Sequence, residues 1–120
     1  MHILIATQRA PELANFADAL AVGTGGLLRF ADSYADVLAT VKAMPPAFVV
    51  LDEGLKDGTP LEIAKRLVMV NAMINTAVLS PLSAEDFHEA SEGLGILAAV
   101  PLHPSAEDGK ALSEVFRRFM

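Results

Sequence analysis

Two hydrophobic periods alternate along this chain five times, and that alternation limits the fold more than any other feature. Short apolar runs recur as "HILIA" (2–6), "LLRFA" (27–31), "FVVL" (48–51), "NTAVLS" (75–80) and "ILAAV" (96–100). Runs of this length between turn formers read as strands, and the unbroken ones as strands buried on both faces. Between them the period lengthens to that of a helix. Leu13, Phe16, Ala17, Leu20 and Ala21 make one apolar stripe, and Tyr34, Val37, Leu38 and Val41 make a second. A third helix opens at "TPLE" (59–62) and reads to about Asn71 or Ala72, a fourth covers 83–95, and a fifth carries Leu112, Val115, Phe116 and Phe119 on one face.

The boundaries carry their own signals. Pro11 suits a first helical turn and Gly23 a C-terminal cap, while Pro45 and Pro46 stop the second helix, capped by Ser33 or Asp32. Thr59, Pro60 and Glu62 form a capping box, with the threonine as cap and the glutamate reaching back. Five strands alternating with five helices predict one α/β domain over 1–120. The sheet is parallel and doubly wound in three layers, a (βα)5 flavodoxin-like fold of strand order 2-1-3-4-5. Sites in such sheets form at the carboxyl ends of the strands, beside the switch between strands 1 and 3. That edge gathers Thr7 and Gln8, Asp52 to Gly54, Ser80 and His103.

Charge and composition exclude several classes. Fifteen acids against nine bases give a net charge of −6, which predicts no nucleic-acid partner and no anionic membrane surface. There is no cysteine, hence no disulfide, thiolate metal site or cysteine nucleophile. The N-terminal apolar run is too short for a signal peptide, and the expected location is cytoplasmic. His2, His88 and His103 sit on separate elements without ligand spacing, so no metal cluster is expected. "GTGG" (23–26) follows a helix and precedes a strand, the reverse of a dinucleotide loop.

With "FVVLD" placed mid-chain, Ser80 closing the fourth strand and "HP" at 103–104, the chain resembles the receiver domains of two-component response regulators over nearly its whole length. The resemblance puts Asp52 at the phospho-acceptor position and Ser80 at the hydroxyl that holds a phosphoryl oxygen. It also makes the His103–Pro104 bond a candidate for the cis form. Where receivers carry paired acids for Mg²⁺ at the end of strand 1, this chain has Thr7 and Gln8. The lysine before the proline becomes His103, the aromatic switch position is Val100, and the usual "MPxxDG" loop becomes "LKDGTP".

These departures weaken the implied chemistry. Mg²⁺ is a hard ion held mainly by carboxylates, and phosphoryl transfer depends on cationic stabilisation of the phosphoryl oxygens. His103 replaces the lysine's charge only when protonated. Asp52 also reads as a strand-end carboxylate satisfied by backbone amides, and Ser80 and His103 as turn residues.

The expectation is an atypical receiver-like signalling module, not an enzyme and without a cofactor, that acts by protein–protein contact. Conventional Mg²⁺-dependent aspartyl phosphorylation in a phosphorelay is not expected of it. Its partner, or a second copy, would meet the face of the fourth helix, fifth strand and fifth helix, where acids at 85–92 face Lys110, Arg117 and Arg118. One alternative is a phospho-accepting receiver at Asp52 whose metal is held by Asp52 and the Gly54 carbonyl, with charge from Glu53 or Asp57. The other is a flavodoxin-like domain binding a small molecule or nucleotide, which the missing glycine-rich loop after strand 1 opposes.

Overall fold

A computed structural model describes residues 1–120. The strands are β1 (His2–Ala6), β2 (Leu27–Ala31), β3 (Phe48–Leu51), β4 (Asn75–Ser80) and β5 (Ile96–Pro101). The helices are α1 (Ala14–Thr24), entered through a 3₁₀ turn at Ala10–Leu13, α2 (Tyr34–Ala43), α3 (Pro60–Val70), α4 (Ala84–Ser91) and α5 (Ala106–Arg117). The sheet is wholly parallel with the order β2-β1-β3-β4-β5, as the alternation predicts.

Strand alternation divides the core in two. Leu4 and Ala6 of β1, with Val49 and Leu51 of β3, face α2 and α3, where Tyr34, Val37, Val41, Ile63 and Leu67 pack on them. Ile3 and Ile5, with Phe48 and Val50, face α1 and α5 and meet Phe16, Leu20, Leu112 and Phe116. Phe48 stacks on Phe116 with ring centroids 4.0 Å apart and planes 13° apart. All four residues of β3 are buried, as "FVVL" requires, whereas β2 at the edge is mostly exposed.

The helix starts follow their sequence signals, except that Glu62 meets the Thr59 hydroxyl at 3.0 Å and not its amide, so the complete capping box is that of Ser105 and Asp108. Ser33, Thr59, Ser83 and Ser105 each accept from the amide three residues on, a cap that contributes about 1 kcal/mol. Three boundaries differ from expectation. Helix α1 runs past Gly23 to Thr24, and Gly25 is the left-handed cap at φ 71°, since Gly23 lies against Ser113 of α5 and belongs to the helix interface. Helix α4 stops at Ser91 because Gly93 and Gly95 take positive φ. Phe119 lies beyond the end of α5 and is exposed, so the buried stripe there is Leu112 and Phe116. Every peptide bond is trans, including His103–Pro104. No helix is long and apolar enough to cross a membrane.

Candidate functional site

Register builds the site. Ala6 pairs with Leu51 across β1 and β3, so the next residues, Thr7 and Asp52, leave the sheet side by side. The Asp52 amide still donates to the Ala6 carbonyl, and the Thr7 amide to Ala31 of β2. Asp52 is fully buried and Thr7 nearly so. The Thr7 hydroxyl donates to Asp52 Oδ2 at 2.7 Å and accepts the Arg9 amide at 3.0 Å. This two-residue hydroxyl turn folds the chain after β1 back over the pocket.

That fold-back delivers Arg9. Its guanidinium meets Asp52 in a two-pronged pair, Nε to Oδ2 at 2.8 Å and Nη2 to Oδ1 at 2.9 Å. The Glu53 amide adds a fourth donor, to Oδ1 at 2.8 Å. A carboxylate has about four lone-pair positions. All four are taken: Thr7 and Arg9 Nε on one oxygen, Arg9 Nη2 and the Glu53 amide on the other. Paired planar geometry of this kind is the strong form of an ion pair. The bond to Asp52, more than any other influence, raises the Arg9 pKa above that of a free guanidinium.

Arg9 reaches a third segment as well. Nη2 also donates to the Leu102 carbonyl, and Nη1 lies 3.3 Å from His103 Nδ1. One side chain thus ties the loop after β1, the end of β3 and the loop between β5 and α5. Among the residues expected at this edge, Thr7 and Asp52 converge directly, while His103 is exposed and meets Arg9 rather than the carboxylate. Glu53 contributes its amide and leaves its side chain exposed. Gln8 turns away to the Asp32 carbonyl at 3.3 Å. Ser80 Oγ accepts the Leu82 amide at 3.2 Å, the turn role before Pro81. Gly54 is exposed, at φ 84°. Arg9 is the residue that sequence reasoning passes over. Its signal was a cation following the two positions where acids are missing.

The loop after β3 is held from the other side. The Tyr34 hydroxyl donates to the Asp52 carbonyl at 2.6 Å, and burial pushes its pKa well above 10. Asp57 accepts the Tyr34 and Ala35 amides at 3.0 and 2.9 Å, so its carboxylate sits on the N-terminus of α2. The bond from the Tyr34 amide, then that from Ala35, lowers its pKa below 3.8. A carboxyl depressed in the folded state contributes stability that is present above its unfolded pKa and lost as pH falls through the folded one. We therefore expect Asp57→Asn to lower the urea midpoint at pH 7 and to match the parent at a pH low enough to protonate Asp57 in both the folded and the unfolded state. An equal deficit at both pH values would contradict this role.

Mg²⁺, the ion implied by the fold, does not match these donors. It seeks carboxylates and water, and the one buried carboxylate here already holds four donors, two of them cationic. Asp57 is engaged at α2, and no three His, Asp or Glu side chains are grouped to hold a metal.

Comparison with solved structures finds the same fold in receiver domains. The structure of the BeF3-activated DrrB receiver domain is 20% identical, covers 98% of this chain and 97% of that one, and superposes with a TM-score of 0.78. The chemotaxis response regulator CheY4 of Vibrio cholerae is 14% identical, with 95% and 97% covered and a TM-score of 0.81. A putative pilus assembly protein, CpaE, from Burkholderia thailandensis is 14% identical, with 96% and 97% covered and a TM-score of 0.72. No family model and no curated protein matches the chain. At such identities the likeness is one of fold: the chain has the receiver-domain fold over nearly its full length.

Proposed function

We propose that this chain is a receiver-type signalling module that works through protein–protein contact and does not use Mg²⁺-dependent phosphorylation of Asp52. Fold alone does not give function, and the site carries the argument. The single observation behind it is the saturated Asp52 carboxylate, with Arg9 across both oxygens. An acceptor aspartate attacks phosphorus through a carboxylate lone pair, with a metal beside it to neutralise the phosphoryl oxygens. Here the lone pairs are engaged, and the strand-1 acids that would help to hold the metal are Thr7 and Gln8. The fold occurs in proteins named for chemotaxis and for pilus assembly, which is consistent with a scaffold that serves partner recognition in several settings.

The surface favoured for such contact is that of α4, β5 and α5. Ala99 and Pro101 of the edge strand and Leu82 before α4 are exposed there, between the acids of α4 and the basic end of α5. Incubation with Mg²⁺ and acetyl phosphate, followed by intact mass measurement, tests the reading. The expected spectrum shows the unmodified chain only. Stoichiometric gain of a phosphoryl group at Asp52 would refute it.

A further inference from the structure

The mismatch between this pocket and a divalent ion has a specific cause. We infer that Arg9 is the pocket's own cation, a guanidinium carried on the chain that takes the place of Mg²⁺ at Asp52 and keeps metal out. This rests on the reading above that Asp52 does not work with Mg²⁺, and it goes further by assigning the exclusion to one side chain.

Three observations carry it. The guanidinium bridges both carboxylate oxygens, the atoms that a metal would need, at 2.8 and 2.9 Å. Asp52 is 1% exposed and Arg9 20% exposed at the side chain, so the pair is largely shielded from competing water and salt. The same guanidinium bonds to Leu102 and adjoins His103, so the cation is fixed by the loop after β5 and does not swing freely in and out of the pocket. A positive charge held at that spot repels a divalent ion and blocks its ligands at once. Because it is covalently tethered, the pocket stays neutralised at any Mg²⁺ concentration, and the loop after β5 stays joined to Asp52.

Removing the charge should then uncover a latent cation site, made of the Asp52 carboxylate with water completing the shell. Mn²⁺ is the probe, read by water-proton relaxation enhancement on the parent, Arg9→Ala and Arg9→Gln, the last keeping side-chain bulk should alanine unfold the chain. Taking away a unit charge about 4 Å from a divalent ion corresponds to a gain of up to roughly a millionfold in Mn²⁺ affinity at an effective dielectric near 20. The variants should show one saturable site that Asp52→Asn in the same background abolishes, and bound Mn²⁺ should raise their thermal midpoints. Mn²⁺ binding by the parent as tight as by the variants would overturn the inference. So would a folded Arg9→Gln that binds no Mn²⁺, although the absence of phosphorylation would then still stand. Binding that survives Asp52→Asn would place the ion elsewhere on the acidic surface and would also overturn it.

Discussion

Arg9→Ala should destabilise the fold by about 3 kcal/mol, the low end for stripping one partner from a buried ion pair. The low end is chosen because Arg9 keeps one-fifth of its side chain in solvent while Asp52 keeps almost none. What is lost is less the attraction than the shelter: a buried carboxylate is left with two donors instead of four. Against a total stability of some 5–15 kcal/mol, that is a large share. Arg9→Lys should recover only part, since an ammonium is a single point and cannot span both oxygens while bonding Leu102. Arg9→Ala combined with Asp52→Ala should lose less than the two single changes added together, a coupling of about 2 kcal/mol. Urea denaturation of the four proteins measures this. Additive losses would mean that the two side chains do not hold each other.

A second large effect comes from the opposite layer. Gly109 lies in α5 where the helix meets α1, and a Cβ at that position would sit 2.3 Å from the Phe16 carbonyl oxygen and 3.0 Å from the Ala19 Cβ. Replacing an interior helical glycine by alanine ordinarily gains about 1 kcal/mol. Here the obstacle is main chain and has no rotamer to escape into, so α5 must move as a whole. Overpacking of that kind costs ~1–3 kcal/mol and sometimes more, which outweighs the propensity gain. We expect Gly109→Ala to lower the thermal midpoint by roughly 5–10 °C. Gly23→Ala meets Ser113 Oγ at 2.1 Å and its Cβ at 2.5 Å; the hydroxyl can rotate away but the Cβ is fixed by the backbone, so this change should also destabilise. A Gly109→Ala protein as stable as the parent would show that the two helices are free to separate.

The two periods of the sequence made the sheet legible because each is local: an apolar run of four to six residues between turn formers reads as a strand. The strand order followed from the strand count, for which 2-1-3-4-5 is the natural doubly wound arrangement, with right-handed crossovers. Caps were legible for the same reason, as Ser33 and Thr59 need only the residues three positions on. Gly23 and Gly25 could not be told apart by sequence, because what separates them is α5: the first is pressed against Ser113, and the second is free to take φ 71°.

Asp52 and Thr7 were legible at the site because parallel register carries strand ends to one edge. Arg9 was not. Its position depends on the Thr7 hydroxyl turning the next two residues back, and on a long side chain crossing to β3 and to the loop after β5. No periodicity encodes that path. Sequence reasoning registered the loss of acids at 7 and 8 and read His103 as a partial stand-in for the lysine's charge, whereas the cation that meets Asp52 lies two residues after Thr7.

The most direct measurement is an amide-shift titration of the ¹⁵N-labelled parent with Mg²⁺ and beryllofluoride, which together mimic a metal-bound phosphoryl group. If Arg9 holds the cation's place, the resonances of residues 7–9, 52–54, 80 and 102–103 stay where they are at saturating reagent. A saturable shift concentrated on Asp52, Glu53 and Ser80, with Arg9 released from Asp52, would contradict it.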